Sequence, residues 1–178
     1  ERDIGSFYHN VQGVRFYHEI ENRGAGINLT VQTLDGIICH NGEILQCSYA
    51  PDRSKTPERF LEEYRRSLTE EGTGINLVPM TLEACVVRIA DVIAYIGRDI
   101  EDAIQIGLIK RADLPPDASR LLGTDNAAII DALVGDLLEQ SLDRDEIRFS
   151  AEVFAALKEL LAFNYANIYT NKRILREH

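Results

Sequence analysis

Residues 88–104 read R-I-A-D-V-I-A-Y-I-G-R-D-I-E-D-A-I. Ile89, Val92, Ile93, Ile96, Ile100 and Ile104 recur at intervals of three and four, the spacing that gathers side chains on one face of an α-helix. Carried back through Val86, Cys85 and Leu82, the same band predicts one long helix, opened by Thr81, as the central element of the fold. A second, narrower line runs beside it: Asp91, Tyr95 and Asp99 stand at i, i+4 and i+8, flanked by Arg88 and Arg98. Burying an ionised carboxylate costs several kcal/mol unless a metal, a cation or hydrogen-bond donors compensate it. The line therefore reads either as a site or as exposed helix pairs, Arg88 with Asp91 and Tyr95 with Asp99.

The surrounding punctuation is helical throughout. A first helix is expected from about Tyr8 to Arg23, ended by Gly24 and Gly26, and a second is capped by Asn28 and stops near Cys39 ahead of H-N-G. Thr56-Pro57-Glu58 combines a capping hydroxyl, a proline where no amide hydrogen is needed and an acid at the positive end of the helix dipole, so a third helix runs to about Glu70. Leu114-Pro115-Pro116 breaks the chain after the central helix. A further helix covers about Asn126 to Gln140, and Ser150 caps a last one reaching about Asn171. With no sustained period-2 pattern and no internal repeat, the fold class is all-α, in a single domain spanning 1–178.

Bulk composition narrows the function. With 19 basic and 29 acidic residues the net charge is −10, and no basic block is present, so the overall field repels nucleic acid and anionic membrane. The apolar runs fall far short of the ~20 residues a membrane span needs, and E-R-D-I-G at the start is no signal peptide, which makes the cytoplasm the expected location. Cys39, Cys47 and Cys85 form no disulfide framework and are expected as reduced thiols; Cys39-His40 and Cys47 lack a second Cys/His pair at zinc-finger spacing.

The segment A-D-x-I-A-Y-x-x-x-D-I-E-D-A resembles the last conserved segment of the HD-domain phosphohydrolases, in the deoxynucleoside triphosphate triphosphohydrolase, or dGTPase-like, branch. Three more stretches resemble that family in the same order: F-Y-H-N-V-Q-G-V-R-F at 7–16, N-L-T-V-Q-T-L-D-G-I at 28–37 and F-N-Y-A-N-I-Y-T-N at 163–171. The resemblance implies an HD-domain-like helical bundle and cleavage of a dNTP to deoxynucleoside and triphosphate. It implies a divalent metal, Mn, Mg or Fe, with Asp91 as a ligand. Tyr95 and Asp99 would meet the deoxyribose, and Tyr169 would line the nucleoside pocket. Arg88, Arg98, Lys172 and Arg173 are the cations available to a triphosphate, although each also reads as part of a solvated helix face. His9 matches a histidine that aids proton transfer in the family, against a plainer reading as a surface residue, whereas His18 reads as structural.

The departures are equally specific. No His-Asp doublet occurs: His9, His18 and His40 are followed by Asn, Glu and Asn, and His178 is the last residue. Arg2-Asp3-Ile4-Gly5 is only a chance likeness, because guanidinium does not ligate metals. Gly13 stands where the family has Ser. The chain thus reads as the C-terminal part of a longer enzyme. It lacks most of the metal ligands, so by itself it is expected to be inactive and to bind no metal tightly, since one carboxylate is not enough. Uncovered apolar helix faces imply a homo-oligomer. Two other readings stay open: a different HD-type nucleotide phosphohydrolase, and a non-catalytic all-α module that binds nucleotide or a partner subunit.

Overall fold

The computed structural model describes residues 8–41 and 45–175, the side chains of Lys172 and Leu175 excepted; the Arg2–Gly5 likeness lies outside these residues. The described chain is all-α. Its helices are α1 (His9–Arg15), α2 (Val31–Cys39), α3 (Pro57–Thr69), α4 (Leu82–Gln105), α5 (Pro116–Leu122), α6 (Asn126–Ser141) and α7 (Ala151–Asn164). The extended segments Ser48–Tyr49 and Ile147–Arg148 are two residues each. Two compact units divide the chain, one up to Ile89 and one from Ala90, where the expectation was a single domain. Helix α4 therefore gives its first turns to one unit and the remainder to the other.

Most helix starts are where the caps place them. Thr56, Thr81 and Ser150 each accept a hydrogen bond from the backbone amide three residues on, all at 3.3 Å. Thr30, not Asn28, caps α2, accepting from the Thr33 amide at 3.3 Å; Asn28 sits at φ +55°, outside the extended conformation a cap requires. The first helix is shorter than its apolar pattern suggests. It widens into a π-helical turn at Phe16–Ile20, and Asn22 and Arg23 then turn left-handed, φ +55° and +59°, ahead of the two glycines. Helix α7 likewise passes into a π-helical turn, Tyr165–Tyr169, before the short helix Lys172–Leu175. Pro115-Pro116 does break the chain, yet Pro116 also begins the unanticipated α5, because proline suits a first helical position.

In the first unit, Val11 and Val14 of α1 pack with Leu34, Ile38 and Cys39 of α2 and with Phe60 and Tyr64 of α3. Gly13 permits this contact: a Cβ there would lie 3.2 Å from Ile37 Cγ2, so the position where the family has serine is one of close helix approach. Charges lie at the edge of this core. Lys55 Nζ is 2.5 Å from Asp35 Oδ1 and 2.5 Å from Glu63 Oε2, and the Lys55 and Asp35 side chains are wholly buried. Lys55 also donates to Val78 O at 3.0 Å, while Asp35 Oδ2 accepts from the Met80 amide at 2.7 Å. One ammonium thus ties α2 and α3 to the segment that leads into α4. Burial opposes its charge, but Cys39, Asp35 and Glu63 around it outweigh that and hold its pKa above the ordinary lysine value. Burial, and next the charge of Asp35, push the Cys39 thiol far upward, so it stays protonated.

Along α4 the apolar band is buried at Cys85, Ile89, Val92, Ile93, Ile96 and Ile100. Val86 departs from expectation and is 47% exposed, because it falls about 100° round the helix from Cys85. In the second unit α5 lies against α6 and α7, with Ala118, Leu122, Ile129, Leu133, Leu157 and Leu160 buried. A Cβ at Gly97 would stand 2.5 Å from Asn126 Oδ1 and 3.1 Å from Asn126 Cα, so the start of α6 approaches α4 at a point where only glycine fits. The same junction is clamped by Glu101, which pairs with Arg111 at 2.7 Å and accepts from the Asn126 amide at 3.3 Å.

Two substitutions test these constraints by urea unfolding. Lys55→Met leaves Asp35 and Glu63 facing each other without a cation, and a loss of about 3–5 kcal/mol is expected. Gly97→Ala forces side chain and backbone apart at Asn126, with an expected loss of about 1–3 kcal/mol.

Candidate functional site

The polar line of α4 lies in the second unit and divides into an open end and a supported end. Asp91 is exposed and makes no hydrogen bond or ion pair among the described residues. Arg88 does not pair with it: that side chain is buried and donates to Leu77 O at 2.9 Å. Tyr95 and Asp99 are half-buried. Tyr169 Oη donates to Asp99 Oδ2, joining residues seventy positions apart in the chain.

The end of α7 sets that meeting. Asn164, fully buried, donates from Nδ2 to Ile96 O at 3.1 Å and fixes the last turn of α7 against α4 next to Tyr95. The π-helical turn Tyr165–Tyr169 follows directly, and its wider winding delivers Tyr169 to Asp99. Burial raises the pKa of the Tyr169 phenol, and so do the hydrogen bond to Asp99, the Asp99 charge and the neighbouring Tyr95. The phenol is therefore a donor across the ordinary pH range, and Asp99 an acceptor. Asn164 carries the arrangement, and reading the sequence missed it; the only signal was an asparagine on the apolar face of an otherwise greasy helix.

The remaining candidates are dispersed. Arg98 is exposed and pairs with Asp102 at 3.2 Å, as a solvated helix face does. Arg173 is exposed, and the Lys172 side chain lies outside those described. His9 belongs to the first unit, exposed at the start of α1, with its Nε2 3.1 Å from His40 Nε2. His40 Nδ1 is 2.6 Å from Ile37 O. A carbonyl only accepts, so His40 carries its proton on Nδ1, and His9 Nε2 is the donor between the two rings. Among the described residues no three His, Cys, Asp or Glu side chains converge as a metal shell, and Asp91 stands alone as a donor. No described helix is long and apolar enough to cross a membrane.

No family model matches the chain. Curated relatives do. It is 32% identical over 173 residues to a deoxyguanosinetriphosphate triphosphohydrolase-like protein of Caldanaerobacter subterraneus subsp. tengcongensis, covering 97% of this chain and 41% of that one. A protein of the same description from Clostridium tetani is 34% identical over 176 residues, 96% of this chain and 42% of the relative. One from Parvibaculum lavamentivorans is 30% identical over 179 residues, 97% and 39% respectively. The chain thus spans about two-fifths of the length of the curated relatives it matches.

The raised pKa of Tyr169 gives a measurable sign. Stability from its bond to Asp99 is fully present below the ordinary tyrosine value of 10.0 and is lost as pH rises through the higher folded value. In an alkaline absorbance titration, one tyrosine is expected to ionise after the others. In Tyr169→Phe that late step disappears while the earlier ones stay.

Proposed function

The chain belongs, over the stretch it shares with them, to the family of the deoxyguanosinetriphosphate triphosphohydrolase-like proteins, and we propose that it supplies the nucleoside-facing half of a dNTP site in a metal-dependent triphosphohydrolase of the HD type. Such an enzyme releases deoxynucleoside and intact triphosphate. The observation that carries the reading is the hydrogen bond from Tyr169 to Asp99 beside Tyr95. A carboxylate and a phenol side by side offer one acceptor and one donor to a sugar hydroxyl, and the Tyr95 ring packs against the sugar face where a ribose 2′-hydroxyl would need room. Arg98 and Lys172 serve the phosphates once Arg98 exchanges its exposed partner Asp102 for them.

His9 is the proton-transfer residue in this reading. Its Nε2–H, set by the tautomer of His40, is the protonated nitrogen that a general acid needs opposite a leaving oxygen. Asp91, exposed and unpaired among the described residues, is the carboxylate available to Mn, Mg or Fe. Tight binding of such an ion takes several oxygen or nitrogen donors in one shell. The described residues supply one, so they do not fit a metal centre by themselves, and no step is assigned to the metal. In the proposal the other donors come from outside the matched stretch, and these residues alone hydrolyse nothing. Exposed Val87, Ile106 and Leu138 support the homo-oligomer.

The reading is tested in a chimera in which this chain replaces the matched stretch of the Caldanaerobacter relative, assayed with Mn²⁺ for triphosphate release from each dNTP. Hydrolysis is expected. Tyr95→Ala and Asp99→Asn should each lower kcat/KM about 100-fold, roughly 2.7 kcal/mol, and weaken discrimination against ribonucleotides. A folded chimera that releases no triphosphate overturns the proposal. Release that neither substitution affects overturns the assignment of the two side chains.

A further inference from the structure

Arg88 is 5% exposed, yet among the described residues no carboxylate pairs with it. Its NH1 donates to Leu77 O at 2.9 Å, and its guanidinium carbon lies 5.7 Å from the centre of the Tyr49 ring. Its Nε is buried without any hydrogen-bond partner. One carbonyl and one ring face offset only part of what a cation loses on leaving water, and an unpaired guanidinium N–H adds to the deficit. Every other buried charge in the first unit is matched: Lys55 has Asp35 and Glu63.

The uncompensated cation borders a cleft. A cavity of about 410 Å³, wholly within the first unit, is lined by Arg88 together with Gln46, Ser48, Tyr49, Asn76 and Cys85. The volume suits a small metabolite, and the amide and hydroxyl side chains are donors that complete the coordination of an oxyanion around a guanidinium. We propose that this cleft is an anion site, with Arg88 as counter-ion to a carboxylate or phosphate group of a small molecule. The net charge of −10 works against anions at long range, so binding rests on the local geometry and only weakly on the global field. The site uses no metal and none of the residues assigned above to the nucleotide, so its success or failure leaves that reading where it stands.

Calorimetric titration of the full chain with inorganic phosphate, and separately with acetate, at ionic strength held constant with chloride, tests the proposal. Saturable binding near one equivalent is expected. Binding of phosphate alone identifies a phosphate site, and binding of acetate as well extends it to carboxylates. Arg88→Gln, which keeps a donor for Leu77 O but removes the charge, should weaken binding at least about tenfold. Arg120→Gln, at an exposed pair with Asp117, should not change it. Should Arg88→Gln fail to fold, Asn76→Asp places a carboxylate in the cleft as a built-in rival and should also weaken binding about tenfold. No saturable binding of either anion, or wild-type affinity in whichever of the two cleft variants folds, overturns the proposal.

Discussion

One buried ammonium holds the first unit in register. Lys55 reaches Asp35 on α2 and Glu63 on α3 at 2.5 Å each, and it bonds the Val78 carbonyl just before α4 begins. Hydrophobic packing alone lets helices slide and repack with modest loss, but a wholly buried ion pair is satisfied at one geometry and costs several kcal/mol at any other. The cluster therefore fixes where α2 and α3 stand and where the chain turns into α4. His9 and His40 meet on the same framework, because α1 docks on α2 through Gly13.

The second unit solves a parallel problem with amides and glycine. Asn164 bonds the Ile96 carbonyl, Gly97 admits Asn126 at the start of α6, and Glu101 clamps Arg111 and the Asn126 amide. These contacts fall on successive residues of α4, between Tyr95 and Glu101, and they immobilise the stretch of helix that presents the polar line. The π-helical turn after Asn164 then brings Tyr169 over Asp99. Much of the D-I-E-D-A segment is thus structural support, and the site residues stand on top of it.

Asp91 and Arg88 show how far helical spacing carries an argument. Three positions apart on one helix, they read as a pair, yet one is exposed without a partner among the described residues and the other is buried against a tyrosine ring and a carbonyl. The segment Leu77–Met80 decides this by taking up the Arg88 guanidinium, and no pattern within α4 announces it. An isolated charge beside a cleft and an isolated carboxylate on a surface are different chemical resources, and only their surroundings tell them apart.

The sequence determined what depends on neighbours along the chain: the all-α class, the helix starts at Thr56, Thr81 and Ser150, the buried stripe of α4, and the likeness that singled out Asp91, Tyr95, Asp99 and Tyr169. Those follow from periodicity and from side chains capping amides three residues away, both local. Tertiary structure decided the rest. It moved a cap from Asn28 to Thr30 and ended the first helix early in left-handed residues. It gave Gly97 its reason, buried Lys55 and Arg88, and joined Tyr169 to Asp99. Each of these needs groups from distant segments to meet at hydrogen-bond range, and a one-dimensional pattern does not encode which distant groups those are.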